Sequence, residues 1–485
     1  MTSTILDSTE SDRSDTPLCV DLDGTLIRTD LLVEGAFRLL RKNLLYLFLL
    51  PFWLLKGKAN LKEQIANRVI PEPTRLPFHP DFLAFLKQEH QRGRKLILAT
   101  ASDRRYGNAI ANHLGIFNEV FGTEKGINLA GNGKKRLLVE RFGDGGFAYA
   151  GDARVDHAIW QHASEIIVVN PRPGVLKMLK QAGHSIHQLF DEKPGSLKQW
   201  IKALRLHQWM KNILLFAPLV AGHRFLNPDD LLNTTIGFIA FSFCASSCYL
   251  LNDLTDLDAD RCHPRKKHRP LAAGMIPMAK GVALIPILVI MGFTLSLLLP
   301  REFTEVLFTY YILTLLYSFH LKRIVLLDVL ILAMLFTLRI NAGGAILGVE
   351  LTFWLQAFSM FLFLSLALVK RYTELLTMQK LEQNNTQRRG YQLPDISILL
   401  SLGSASGLMA VLVMALYINS ARILDLYQYP KMIWLLCPLA VYWISHVWLV
   451  AGRDEMHDDP VLFAIKDPIS LGIGATGLLI LFMAT

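Results

Sequence analysis

After Trp200 the chain is dominated by long apolar runs, and this constrains its fold more than any other feature. A bilayer core needs about 20 apolar residues of helix. About nine runs read as spans, near residues 211–222, 231–251, 281–299, 303–319, 324–347, 351–369, 396–418, 432–450 and 468–484. By that length criterion residues 201–485 are expected to be a polytopic membrane domain. Basic residues gather in alternate loops, at 261–280, 320–323, 370–389 and 451–467, while the opposite loops carry Arg224, Arg301, Arg422 and Lys431. The positive-inside rule puts the first set in the cytoplasm, and an odd number of spans sends the C-terminus to the other side.

Up to about Phe190 the pattern differs: short apolar strands alternate with polar helices, the signature of an α/β domain. Residues 17–190 are expected to form this domain, 191–200 a linker built on the Pro/Gly stretch Asp191–Ser196, and 201–485 the membrane domain. Residues 1–16 are polar, rich in Ser, Thr and Asp, with no cleavable signal pattern, and disorder is expected there. Because 52% hydrophobic content already places much of the chain in a membrane, the net charge of +9 is no argument for nucleic acid, and no such partner is expected. The five cysteines are scattered without ligand or disulfide spacing and are expected to be free thiols. The histidines, His207 included, show no ligand spacing either. The oligomeric state stays open, a homo-oligomer included.

The N-terminal region begins with LCVDLDGTL, a buried strand running into Asp21, Leu22, Asp23 and Gly24. Aspartates at the C-terminal ends of parallel strands sit where open α/β sheets bind ligands. In order downstream come KLILATAS, ending a second strand at Thr100 or Ser102; Lys134 or Lys135 before the helix LLVERFG; and FAYAGDARVD, ending a third strand at Asp152 with Asp156 four residues on. A single Asp-x-Asp-Gly is ordinarily a turn. Four ordered motifs at strand ends are more specific, and together they resemble the haloacid dehalogenase phosphatase superfamily, a Rossmann-like fold with a helical cap. The resemblance implies that Asp21 is a nucleophile forming an aspartyl-phosphate and Asp23 the acid/base. It implies that Thr100 and Lys134 steady the phosphoryl oxygens. Asp152 and Asp156 would hold Mg²⁺ beside Asp21, with Asp23 in the same carboxylate set.

An insertion over about residues 30–90 is expected to be the cap. Within it Leu44–Leu55 is apolar, flanked by Arg41, Lys42, Lys56 and Lys58, interrupted by Pro51, and too short to cross a bilayer. Either an interfacial helix pair with Trp53 at headgroup depth or a buried helix of the cap core fits it.

At the edge of the second long run stands NDLTDLDAD, followed by Arg261, Arg265, Lys266, Lys267 and Arg269. Asp253, Asp256 and Asp260 are spaced i, i+3, i+7, which puts them on one helical face together with Asn252, while Asp258 points elsewhere. Three acids on one face repel one another unless a hard divalent cation such as Mg²⁺ neutralises them, and Mg²⁺ also bridges phosphate oxygens. Other polar clusters fall on the same expected side: Lys211; Tyr317 with Lys322, Arg323 and Asp328; Arg339 with Asn341; Lys370 and Arg371; and Arg453 with Asp458, Asp459 and Asp467. Lys322 and Arg323 alone would be ordinary orientation charges. Asp328 and Arg339, inside spans, are expensive there and therefore candidates for function.

NDLTDLDAD is similar to the NDxxDxxxD motif of the UbiA superfamily of membrane prenyltransferases, and about nine spans fit that family. The resemblance implies a helical bundle with a polar chamber and Mg²⁺ held by Asp253, Asp256 and Asp260. The family usually adds a second Asp-x-x-x-Asp on a later span to grip a prenyl diphosphate; here Asp328 is followed by apolar residues through Leu332. With RLHQWMKNILLFAPL, YSFHLKR, LFTLRINAGG and HDDP, the membrane part resembles the polyprenyl-phosphate phosphoribosyltransferase branch of the superfamily. That branch implies phosphoribosyl pyrophosphate as donor and a polyprenyl phosphate as acceptor, with Lys211, Asn252, Arg265, Lys266, Arg269, Tyr317, Lys322, Arg323, Asp328 and Arg339 in substrate binding. The leading expectation is a bifunctional enzyme that transfers phosphoribose to a lipid phosphate and removes the 5-phosphate of the product. A prenyltransferase with an aromatic acceptor comes second, and a membrane scaffold or transporter with a regulatory phosphatase third.

Overall fold

The computed structural model describes residues 16–43, 45–124, 129–192, 195–380, 390–420, 427–456 and 459–484. Leu44, Arg422, His457 and Asp458, with most of residues 1–16 and parts of 191–196 and 370–389, lie outside them. The chain falls into two compact units, residues 1–204 with 250–284, and residues 205–249 with 285–485.

The first unit is built on a six-stranded parallel sheet in the order β3-β2-β1-β4-β5-β6: β1 Leu18–Val20, β2 Leu96–Asp103, β3 Glu119–Thr123, β4 Ala148–Gly151, β5 Glu165–Val169 and β6 Gln188–Phe190. Parallel neighbours need helical crossovers, which cover both faces and explain why the inner strands are buried along nearly their whole length. Alternate residues feed two cores: Leu18, Val20, Leu98 and Ala150 pack on one face, Cys19, Ile97, Ala99 and Tyr149 on the other. Val20 pairs with Leu98 of β2 on one side and Ala150 of β4 on the other, so strand order reverses at β1 and Asp21 emerges at the switch point.

Between β1 and β2 the insertion is helical: α1 Leu31–Lys42, α2 Tyr46–Leu55, α3 Lys58–Ala66 and α4 Pro80–Gln91. Trp53 of α2 is turned inward among Leu39 and Ile65, with the Arg68 guanidinium 4.6 Å from its ring. This corrects the expectation of Trp53 at headgroup depth: burial against Leu39 and Ile65 removes more apolar area from water than exposure would. Leu47, Phe48, Phe52 and Leu55 of the same helix are exposed. Residues 250–284 belong to this unit as well, because their charged side chains find partners on α1.

Among the described residues six helices are long and apolar enough to cross a membrane: Pro228–Thr255, Met278–Ser296, Leu327–Ile346, Phe353–Lys380, Leu393–Ile418 and Pro430–Gly452. Pro460–Lys466 and Pro468–Ala484, bent by 75° at their junction, make a seventh if counted as one span. The sequence suggested about nine. Leu206–Phe216 instead winds as a 3₁₀ helix with buried Lys211 and Asn212, and Arg301–Phe319, though 19 residues long, is diluted by Glu, Thr and Tyr. The second unit packs Leu366, Val369, Leu399, Val411 and Trp448 into one core and Phe241, Phe303 and Tyr310 into another.

Candidate active sites

The β1 and β4 ends bring together the N-terminal residues singled out from sequence. Ligand oxygens of Asp21, Asp152 and Asp156, all buried, lie within 4.8 Å of one another. Lys134, at the start of a helix Asn132–Phe142, reaches Asp21 Oδ1 at 2.6 Å and accompanies the Tyr149 hydroxyl at 3.0 Å. The choice between Lys134 and Lys135 is thereby geometric: Lys134 is the one at Asp21. Burial opposes its charge, but Asp21 and Asp156 outweigh burial and hold the ammonium above the ordinary lysine range.

Asp23 accepts from Ser102 Oγ at 2.5 Å and from the Leu31 amide at 2.9 Å. Burial, followed by the nearby Asp30, pushes its carboxyl up to about 7, which suits a group that must hold a proton near neutrality. Its side chain is not part of the three-carboxylate cluster. Thr100 lies on the same face of β2 and accepts from the Ser102 amide at 2.9 Å, so Ser102 carries the hydroxyl that meets Asp23 while Thr100 orders the strand end. Asp152 is raised to about 7 by burial, against the pull of Arg172 at 2.7 Å; Asp156 is raised by burial and then by Asp21. Carboxylates that raise one another through burial and repulsion, with all their donors oxygen, fit a hard divalent cation.

Sequence reading missed two residues here. Tyr149 donates to Asp156 Oδ1 at 3.0 Å and ties it to Lys134. Arg172 fixes Asp152 from twenty residues away.

In residues 250–284, Asp253 lies near the end of helix Pro228–Thr255 and Asp260 in a following short helix, Leu257–Cys262. The chain breaks between them at Asp256, yet both carboxylates, 3% and 1% exposed, converge on Arg269 Nη1 at 3.1 and 2.6 Å. Two enclosed acids that meet one positive charge are suited to a cation, and the adjacent Asn252 Oδ1 is buried with no hydrogen-bond partner among the described residues. Oxygen donors of this kind suit Mg²⁺, although among the described residues the three-acid grouping within ligand reach is Asp21, Asp152 and Asp156, and Asp256 is not gathered with Asp253 and Asp260 in that way. Asp258 points away, to Arg38 Nη2 at 2.6 Å. Arg265 is exposed and Lys266 half-buried; the amides of both donate to His263 Nδ1.

The second unit holds three further polar groupings. Lys211 and Lys370 both donate to Asp459 Oδ2, at 3.0 and 2.8 Å. Arg339 is buried; its Nε donates to Asn212 Oδ1 at 2.9 Å, its Nη2 to the Tyr310 hydroxyl at 3.0 Å, and Phe241 and Phe336 flank it. Asp328, wholly buried, is held by Arg371 Nε and the Tyr391 hydroxyl, each at 2.6 Å, and Tyr317 accepts from Arg371 Nη2 at 3.4 Å. Lys322 is half-buried and Arg323 exposed. Asn212, Tyr310 and Tyr391 carry no charge, and spacing gave no sign of them.

The UbiA prenyltransferase family model matches residues 213–466, and the haloacid dehalogenase-like hydrolase model matches residues 18–159. The uncharacterized protein y4nM of Sinorhizobium fredii is 38% identical over 95% of this chain and 89% of its own length. Nodulation protein NoeC of Azorhizobium caulinodans is 31% identical over 56% of this chain and 88% of its own. The decaprenyl-phosphate phosphoribosyltransferase of Corynebacterium glutamicum is 39% identical, but the match covers 37% of this chain and 55% of that protein. The chain thus belongs to the UbiA prenyltransferase family, with a helical membrane domain of that type preceded by a haloacid dehalogenase-like domain.

Proposed function

We propose that the protein transfers phosphoribose from phosphoribosyl pyrophosphate to a polyprenyl phosphate and that its N-terminal domain removes the 5-phosphate of the product. In the transfer, a lipid phosphate oxygen attacks C1 of the ribose while the C1–O bond to pyrophosphate breaks. Asp253, Asp256 and Asp260 would hold Mg²⁺, which when bound neutralises charge on the leaving pyrophosphate. Basic side chains of the same loop balance the remaining phosphate charge.

In the N-terminal domain Asp21 attacks phosphorus to form an aspartyl-phosphate while Asp23 gives its proton to the departing sugar oxygen. Asp23 then takes a proton from the water that cleaves the aspartyl-phosphate, and phosphate leaves. Lys134 offsets charge on Asp21 and the phosphoryl oxygens; Asp21, Asp152 and Asp156 would hold Mg²⁺ there. One chain carrying both sites keeps them at high effective concentration for a lipid product confined to the bilayer.

The observation that carries the choice of donor is Asp328. It is the one carboxylate where the family's second Asp motif would stand, and Arg371 and Tyr391 already occupy both its oxygens. The family's own description favours prenyl transfer as the second reading. Mass spectrometry of lipids after incubation with Mg²⁺, phosphoribosyl pyrophosphate and a polyprenyl phosphate tests the proposal. A polyprenyl phosphoribose product is expected, and prenylation of an aromatic acid without any ribosyl lipid would overturn it.

A further inference from the structure

Glu34 lies in α1, within the insertion of the N-terminal domain, and is wholly enclosed. Arg261 donates to both its oxygens, Nη1 to Oε1 at 2.7 Å and Nη2 to Oε2 at 3.2 Å, and Arg38 Nη2 reaches Oε1 at 2.8 Å. Arg38 also binds Asp258 Oδ1 at 2.6 Å, and Arg261 Nε donates to the Ala272 carbonyl at 3.1 Å. Asp258 and Arg261 are two of the six residues of the helix Leu257–Cys262. So short a helix does not hold its own conformation or place, because nucleation of an isolated turn is unfavourable. Its position therefore depends on what grips it, and a buried carboxylate is tolerable only while its cationic partners stay in place, so the grip is specific. Asp260, next to Arg261 on this helix, is the residue that meets Asp253 at Arg269.

We propose that Glu34 is a positioning residue for the Asp-rich motif: by clamping Arg261 it fixes the short helix from which Asp260 joins Asp253, so the N-terminal insertion sets the affinity of the metal and diphosphate site. This rests on Asp253, Asp256 and Asp260 being the donor site. Sequence spacing gives no hint of it, since the two partners lie 227 positions apart. In the same first turn of α1 the Leu31 amide donates to Asp23, so one helix turn contacts both Asp23 and the short helix that carries Asp260.

The test uses the full-length protein in lipid nanodiscs and follows thermal unfolding against phosphoribosyl pyrophosphate at fixed Mg²⁺, beside KM and kcat for the donor. Glu34→Gln and Arg261→Gln are each expected to raise the donor concentration for half-maximal protection, and KM with it, about tenfold, with turnover at saturating donor retained. The double variant should be no worse than either single one, because both remove the same clamp. Asp256→Ala should lose protection altogether. A packing role alone lowers the unfolding temperature without ligand and leaves KM at the parent value; that result, with Asp256→Ala unprotected, overturns the positioning role. Protection retained in Asp256→Ala overturns the donor-site reading itself. Should Glu34→Gln fail to fold, Glu34→Asp keeps the charge, shortens its reach and is expected to give a smaller rise in KM; an unchanged KM overturns the role there too.

Discussion

Lys134 Nζ stands 2.6 Å from Asp21 Oδ1, across 113 positions of sequence, at the reversal of strand order beside β1. The ammonium is enclosed, donates also toward Tyr149, and is held in place by Asp156 through that tyrosine. A fixed charge so placed acts where negative charge gathers on phosphoryl transfer.

Lys134→Ala is expected to lower phosphate release from a phosphomonoester by about 10²–10³. Lys135→Ala, at the next and half-buried position of the helix, should stay close to the parent. Steady-state phosphate assays on the two variants check this, and equal losses would show that register was misassigned.

Asp21→Asn should lower phosphatase turnover by about a thousandfold or more while sugar transfer continues. The measurable result is accumulation of the 5-phosphorylated lipid where the parent yields its dephosphorylated form. Release of free phosphate at the parent rate by the variant would remove Asp21 from the chemistry.

Gly24 has a φ of +88°, and a Cβ there would fall 2.5 Å from Asp152 Oδ2. Gly24→Ala therefore combines backbone strain of about 1–3 kcal/mol with displacement of a carboxylate of the cluster. The Mg²⁺ concentration needed for half-maximal phosphatase activity should rise, and phosphoribosyl transfer should not change. A variant with the parent's Mg²⁺ dependence would show that Asp152 can move aside freely.

What the sequence made legible was local. Asp21, Asp152 and Asp156 were found because strand-end carboxylates recur at short spacings, and Asp253 and Asp260 because helical periodicity puts them on one face. The single helical face did not survive the break at Asp256, but two of its three acids, Asp253 and Asp260, still meet at Arg269. Tyr391 and Glu34 were illegible because their partners lie 63 and 227 positions away, and Tyr149 and Arg172, though only seven and twenty positions from the aspartates they hold, carry no motif of their own. Among the described residues the count of spans is below about nine for a different reason: apolar content does not reveal that Lys211 and Asn212 are to be bonded by Asp459 and Arg339. Composition left two placements open for Trp53, since an aromatic beside lysines suits a membrane surface as well as a cap core, and it is Leu39 and Ile65 that decide for the core.

The exposed face of α2, with Leu47, Phe48, Phe52 and Leu55 outermost, is expected to touch lipid. Cys262 is the exposed cysteine among the five. On a Cys262→Ser background, an environment-sensitive dye at Phe48→Cys in nanodiscs should emit at shorter wavelength than in detergent-free water and be quenched by lipid-borne quenchers. Unquenched, water-like emission would instead leave this face in solvent. Trp53→Ser should act differently, destabilising the insertion by about 3–5 kcal/mol through loss of a buried aromatic.

The sharpest test of donor identity sets Asp256 against Asp328. If Asp253, Asp256 and Asp260 hold the cation that carries a pyrophosphate leaving group, Asp256→Ala removes donor binding together with turnover, because metal and phosphate bind as one unit. Asp328 cannot offer a second such grip without surrendering its bonds from Arg371 and Tyr391, even though Arg371 keeps Glu374 as a partner at 2.6 Å. A ligand stabilises the folded state by the logarithm of its saturation, so 100 times Kd corresponds to about 2.7 kcal/mol. Phosphoribosyl pyrophosphate with Mg²⁺ should therefore raise the unfolding temperature of the parent by several degrees, while geranyl or farnesyl diphosphate with Mg²⁺ should raise it little. Chelation of the metal should abolish the difference. The opposite ranking would mean that Asp328 gives up its partners to a second cation, and the prenyl-transfer reading would then replace the phosphoribosyl one.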